Sequence, residues 1–385
     1  MPNTESIAAV LHRAAEAGDV PGVAAAAATA DGPFFEGGFG SRDLATSAPM
    51  TADTVVWIAS MTKAVTGACA MQLVERGKLS LDTPIKTVLP ELGRVQVLEG
   101  FASDGTPKLR AVRRDITLGH LLTHTAGYVY DIWNADMARY METTGTPGII
   151  SCTNAALTLP LVFDPGERWD YGINIDWVGK AVEAVSGLKL GRYMQDNLLG
   201  PLGMSDTAFK IGDEQRRRLA RIHARTDQGF VSTDTELPQE PEFEMGGGGL
   251  YSTVGDYLKF AQMILHGGRF NGAQVLKPET VSLMSNHAMG ELTCRPLKTT
   301  ASHLSNDVDF IDGMKWGLSF LINPERLETG RSAGSLAWAG LANSYYWIDP
   351  ARRVAGVYAT QILPFFDERA VKLFQEFEIE VYRAI

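Results

Sequence analysis

The apolar positions near the start of the chain fall at helical spacing. Ile7, Val10, Leu11 and Ala14 share one face, which predicts an amphipathic helix over residues 7–16. Gly18 and Pro21-Gly22 break it. Residues 23–29 and 34–39 read as two strands joined at Asp31-Gly32, a hairpin signal. Residues 60–76 read as a long helix with Gly77 just past its end, where a left-handed cap suits glycine. Residues 118–123 read as a short helix closed by the Ala126-Gly127 turn. Helical patterns then dominate residues 131–265, punctuated by Pro165-Gly166, Pro201-Leu202-Gly203 and a run of four glycines at 246–249. After Gly313, segments 316–322, 344–348 and 354–361 are rich in aromatic and β-branched residues and read as strands. Residues 368–383 read as a closing helix. Strands at both ends and helices between them predict an α/β (α+β) protein, with a domain built from both termini and a helical insertion. The boundaries expected are residues 1–85 and 246–385 for the α/β part and 86–245 for the mainly helical part, with the active site at their interface.

Composition changes this picture little. The chain has 385 residues, of which 45% are hydrophobic and 21% charged, enough to bury a substantial core. The net charge of -10 argues against a nucleic-acid partner. The cluster Arg216, Arg217, Arg218 and Arg221 reads as a solvated face. Cys69, Cys152 and Cys294 lie far apart, with neither disulfide nor metal spacing, so no metal and no cofactor is expected. The first residues lack a basic segment followed by an apolar one, and no run is long enough to span a membrane. A cytoplasmic protein is the expectation.

The sequence contains no GxSxG elbow, HExxH pair or P-loop. It does contain Ser60-Met61-Thr62-Lys63. The SxxK spacing is weak evidence alone, because Ser186-Gly187-Leu188-Lys189 shares it. The two differ in context. Ser186-Gly187 closes a helix, whereas Ser60 follows the apolar residues 55–59 and opens one. A lysine at i+3 lies on the same helix face, and a serine hydroxyl needs such a base. Lysine can serve only if burial lowers its proton affinity. An N-cap serine followed by a surface lysine fits the spacing equally well.

The surrounding segments settle the comparison. Residues 57–63 (WIASMTK) followed by 77–82 (GKLSLD) resemble the serine β-lactamase and penicillin-recognising family, most of all the class C β-lactamases and the family VIII carboxylesterases. Residues 121–127 (LLTHTAG), 165–171 (PGERWDY), 201–204 (PLGM) and 247–253 (GGGLYST) continue the likeness in order. The resemblance implies a β-lactamase-like fold, with an antiparallel sheet flanked by helices from both termini. It implies Ser60 as nucleophile and Lys63 and Tyr171 as proton-handling partners, Tyr171 having a phenolate-like character. The backbone N–H groups of Ser60 and Leu341 are the expected oxyanion hole.

Two departures shape the functional expectation. The lactamases read Tyr-x-Asn, whereas this chain reads Tyr171-Gly172-Ile173, with Asn174 one place late. Their Lys-Thr-Gly strand is replaced by Trp338-Ala339-Gly340, similar to the Trp-Gly-Gly of family VIII esterases; Lys298-Thr299-Thr300 is only a partial match. Trp338, Ala339, Gly340, Tyr128 and Asn174 are the expected substrate-binding residues, Tyr130 and Trp133 are further candidates for the pocket wall, and His124 is read as a turn residue. The glycine run is read as close backbone packing near the site. The expectation is a serine carboxylesterase for short-chain, neutral esters, able also to transfer the acyl group to alcohols. The alternatives are a β-lactamase or D-amino-acid peptidase, and a non-catalytic ligand-binding relative.

Overall fold

The computed structural model describes residues 3–385; Met1 and Pro2, the first residues of the segment read above for a leader, lie outside it. Helix α1 (Glu5–Glu16) buries Ile7, Leu11 and Ala14, the face the periodicity marks. Strands β1 (Gly22–Thr29) and β2 (Gly32–Asp43) follow as the predicted hairpin. They join β3 (Ala48–Pro49), β4 (Lys315–Trp316), β5 (Leu321–Ile322), β6 (Leu336–Gly340), β7 (Ser344–Asp349) and β8 (Val354–Ala359). The result is an eight-stranded sheet ordered β4-β5-β6-β7-β8-β1-β2-β3. All of its pairings are antiparallel, and β1 from the start of the chain lies beside β8 from the end.

Three more helices organise the interior: α2 (Thr62–Glu75), α3 (Asn174–Ser186) and α4 (Val254–Leu265). A last helix, α5 (Glu368–Ala384), closes the chain. Neighbouring residues on β7 show how the sheet is covered. Tyr346 meets Tyr257 of α4, whereas Trp347 meets Phe374, Phe377 and Tyr382 of α5. Adjacent residues of a strand point to opposite faces, so α4 and α5 lie on opposite sides of the sheet. That is why β1 reads GVAAAAAT, apolar throughout instead of alternating: both of its faces are buried. Helix α2 is buried all round, with twelve of its residues buried, Thr62 to Leu73, most of them apolar.

The structure corrects several expectations. Residues 316–322 are not one strand. Gly317–Phe320 turns out of the sheet, with Ser319 at φ 79° and its N–H donated to the Leu122 carbonyl, leaving the two short strands β4 and β5. Strand β6 carries the Trp338 segment, and the pattern had not marked it as a strand. The middle of the chain holds two hairpins among its helices, Gln96–Phe101 with Pro107–Ala111 and His223–Thr226 with Gly229–Ser232. Arg216, Arg217 and Arg221 are exposed as expected of a solvated face, but Arg218 is only 20% exposed and donates to Asp206 at 2.6 Å.

The outer face of the sheet contains one buried ion pair. Arg331 donates through Nε and Nη2 to both carboxylate oxygens of Glu378 on α5, at 2.6 and 2.7 Å. Their side chains are 8% and 1% exposed. Removing one member strands the other charge in a dry site. Glu378→Ala is therefore predicted to destabilise the protein by about 3–5 kcal/mol, and the double variant Arg331→Met/Glu378→Leu by clearly less. Denaturant unfolding of the three proteins checks this; an equal loss in both variants would contradict the account.

Candidate active site

Ser60 stands where a short strand, Val56–Trp57, meets α2. The link is tight. Ala59 adopts φ 43°, a left-handed conformation that costs a non-glycine residue about 1–3 kcal/mol, and residues Ala59–Met61 form a single 3₁₀ turn. The α-helix proper starts at Thr62, two residues later than the pattern suggests. This turn presents the half-buried Ser60 at the helix entrance and directs Lys63 into the interior.

Lys63 is fully buried. Its Nζ lies 3.1 Å from Ser60 Oγ, 3.0 Å from the Tyr130 hydroxyl and 2.5 Å from the Gly247 carbonyl oxygen. It also sits 4.7 Å from the centroid of the Tyr171 ring. Burial pulls the Lys63 ammonium well below the usual lysine range; the nearby Asp176 carboxylate opposes that shift. The amine can therefore be neutral where an exposed lysine would be charged. The four-glycine run packs on α2, as expected. Thr66 Oγ1 donates to the Gly246 carbonyl at 2.7 Å, and Trp57 Nε1 donates to the Gly248 carbonyl at 2.7 Å.

Tyr171 approaches Ser60 from the other side. Its hydroxyl faces the serine side chain and accepts the Trp338 indole N–H at 2.8 Å. Around its ring stand His124 at 4.8 Å, Trp338 at 4.9 Å, Tyr130 at 5.3 Å and Trp133 at 5.7 Å between centroids. This aromatic enclosure excludes water. Burial raises the Tyr171 hydroxyl above the ordinary tyrosine value, and the neighbouring Ser60 hydroxyl and Trp338 indole recover only part of that rise. The phenol form is favoured, contrary to the phenolate-like character inferred by resemblance.

The structure brings Ser60, Lys63, Tyr171, Trp338, Ala339 and Leu341 together. A small cavity is lined by Ser60, Tyr171, Trp338, Ala339 and Leu341 with Trp133, Leu297 and Phe365, and no Lys or Arg is in its wall. Gly340 packs β6 against the serine turn: a Cβ there would fall 2.4 Å from the Ile58 carbonyl oxygen. A second, mainly apolar cavity on the α5 side of the sheet shares Trp338 and Ala339 with the first and holds the Arg331–Glu378 pair in its wall. Lys298 is 61% exposed and bridges Asp307 and Asp309, so it does not replace the absent cation.

Tyr128 and Asn174 are placed elsewhere. Tyr128 lines a different cavity, its ring stacked on Trp177. Asn174 is fully buried at the start of α3; its Nδ2 donates to the Tyr128 carbonyl at 3.3 Å and lies 3.0 Å from His124 Nδ1. Asn174 thus ties the loop before Tyr130 to α3. The loop lies very close to Gly172, where a Cβ would meet the Tyr128 carbonyl oxygen at 2.4 Å. His124 is a turn residue as expected, with φ 56°, and burial drives its imidazole well below the ordinary histidine value. Asp176, on α3 behind Lys63, escaped the sequence reading. A lone carboxylate between Ile175 and Trp177 in a buried helix was the available signal. Among the described residues no group of three or more His, Cys, Asp or Glu side chains could hold a metal ion, and no helix is long and apolar enough to cross a membrane.

The profile of the Beta-lactamase family matches residues 7–379. The chain is 34% identical over 351 residues to monacolin J acid methylbutanoyltransferase of Aspergillus terreus, covering 87% of this chain and 83% of that protein. It is 30% identical over 391 residues to lovastatin esterase of Penicillium rubens, covering 97% of each. The solved structure of unliganded simvastatin synthase from Aspergillus terreus superposes with a TM-score of 0.84 at 30% identity, covering 98% of this chain and 97% of that one.

The close contact at Gly340 yields a test. Gly340→Ala is predicted to push β6 off the Ile58–Ala59 backbone and slow labelling of Ser60 by a fluorophosphonate about 100-fold, since misplacement of about 1 Å has that effect. Near-native far-UV circular dichroism with unchanged labelling would show that the approach of β6 is immaterial.

Proposed function

This chain belongs to the β-lactamase family, whose members here include esterases and acyl-transferring enzymes, and from that premise we propose that it is a serine carboxylesterase for short-chain, neutral esters. The observation that carries the reading is a buried lysine amine 3.1 Å from Ser60 Oγ, at a cavity whose wall holds an indole and no cation. In this reading the neutral Lys63 amine takes the serine proton as Ser60 Oγ attacks the ester carbonyl. The tetrahedral oxyanion is held by the N–H groups of Ser60 and Leu341. The C–O bond to the alcohol then breaks, and the leaving alkoxide receives a proton from the Lys63 ammonium, relayed through the phenols of Tyr171 or Tyr130. Water, or a second alcohol, enters by the reverse sequence and frees Ser60 as an acid or a new ester. Tyr171 serves as a hydrogen-bonding phenol, with the Trp338 N–H fixing its hydroxyl.

Three features favour esters over penicillins. The cavity wall offers no cation for a substrate carboxylate, Asn174 is committed to His124 and Tyr128, and the indole of Trp338 adds apolar surface. The small, largely aromatic and aliphatic cavity at Ser60 supports a short acyl group. The names of the relatives agree with both outcomes of one acyl-enzyme: a lovastatin esterase hydrolyses, and a methylbutanoyltransferase moves a short acyl group.

Ser60→Ala is predicted to lower turnover of a short-chain aryl ester at least about 1000-fold, whereas Ser186→Ala leaves it unchanged. Retained activity in Ser60→Ala would remove the nucleophile assignment. Faster hydrolysis of a penicillin than of the ester by the native enzyme would favour the lactamase reading. Failure of a fluorophosphonate to label Ser60 would favour a ligand-binding relative.

A further inference from the structure

Asp176 is a buried carboxylate with no part in the chemistry described so far. It lies in the first turn of α3, fully buried, with Ile175, Trp177 and Val178 as apolar neighbours in sequence. Its Oδ1 accepts the Gly247 N–H at 2.8 Å, and its Oδ2 has no hydrogen-bond partner. The carbonyl of that same Gly247 accepts from Lys63 Nζ. The two charged side chains therefore meet opposite polar groups of one residue. A Cβ at 247 would stand 2.5 Å from Asp176 Oδ2, so a larger residue there must displace the carboxylate.

The surroundings leave Lys63 one charged partner. From the loop before α3 come His124, held neutral by burial, and the phenols of Tyr130 and Tyr171, held protonated by burial. The Cys152 thiol also faces Asp176, and burial pushes it up to about 12. Asp176 is the carboxylate that acts on the lysine. A dry ammonium without a counter-charge is unstable, and a half-satisfied buried carboxylate is costly unless a cation is near.

We propose that Asp176 is a positioning residue for acyl transfer, which through Gly247 holds the Lys63 amine against Ser60 and stabilises the ammonium formed when that amine takes the serine proton. The inference rests on the reading of Ser60 as nucleophile and Lys63 as its base. Burial raises the Asp176 carboxyl to about 6, with Lys63 and the Gly247 N–H opposing the rise, and in the free enzyme above that range its anionic form favours the charged lysine. Removing its charge makes the amine neutral at lower pH and also makes it a weaker proton acceptor. These two effects have opposite signs on the two parts of a pH profile. The acid limb moves down while the plateau falls.

The test is the isosteric variant Asp176→Asn, which keeps an acceptor for the Gly247 N–H. Two profiles are measured against pH: kcat/KM on a short-chain aryl ester, and the rate of Ser60 labelling by a fluorophosphonate. The expected result is an acid limb displaced downward by about one unit or more, with a plateau reduced about tenfold. Asp176→Glu, which restores the charge, is expected to return the limb toward its native position. A plateau that falls with the limb unmoved shows a merely structural role and overturns the proposal, as does a native profile. Should Asp176→Asn fail to fold, Gly247→Ala displaces the carboxylate by contact, and the same limb movement is required of it. Absence of labelling in the native enzyme would overturn the parent reading; normal native labelling with an unmoved limb in the variants overturns only the part given to Asp176.

Discussion

An ammonium-bearing side chain held in a dry interior governs how the rest of this molecule is arranged. Lys63 has no access to water, so every donor direction of its Nζ must find an acceptor within the protein, and it does so on Ser60, Tyr130 and Gly247. Each partner comes from a different part of the chain. Satisfying one side chain therefore draws together the start of α2, the turn segment 124–130 and the glycine run before α4. The same burial that makes the lysine demanding also makes it a usable base.

The second constraint is closeness of backbone. A hydroxyl nucleophile and its oxyanion donors must lie within hydrogen-bonding range of one point, which side chains at the joints would prevent. Gly340 lets β6 approach the Ser60 turn, Gly172 lets the Tyr128–Tyr130 segment approach Tyr171, and Gly247 lets the glycine run pass between Lys63 and Asp176. The strained φ of Ala59 belongs to the same group of features. The aromatic rings then close the assembly against water. Trp338 has a double part, since its indole both walls the cavity and fixes the Tyr171 hydroxyl. Replacing a lysine strand by this indole removes an anion site and orients a phenol in one step.

Much of this was readable from the residues alone. The amphipathic face of α1, the β1–β2 hairpin and the long α2 follow from local patterning, and the structure has them within a few residues. Where patterning failed, non-local contacts had decided. Residues 316–322 have strand composition throughout, yet Gly317–Phe320 bonds to the Met284 and Leu122 segments and leaves the sheet. Tyr128 and Tyr130 are chemically alike and two places apart, so only the backbone bond from the Tyr130 N–H to the Tyr171 carbonyl shows which one faces Lys63. Asn174 has the chemistry of a substrate amide ligand but spends its amide on His124 and Tyr128.

The sequence by itself determined the family and the main hairpin and helices, and it marked Ser60, Lys63 and Tyr171 as candidates, because ordered motifs and periodicity are properties of neighbours along the chain. The structure agrees with the sequence context that separates Ser186 from Ser60, with Gly187 capping the end of α3 in the left-handed conformation, and tertiary structure alone decided which of Tyr128 and Tyr130 meets Lys63. It also decided that Lys63 has a carboxylate behind it. Proton affinity depends on burial and on charges a few ångströms away, and those are fixed only when Asp176, Gly247 and Lys63, far apart along the chain, are folded against one another.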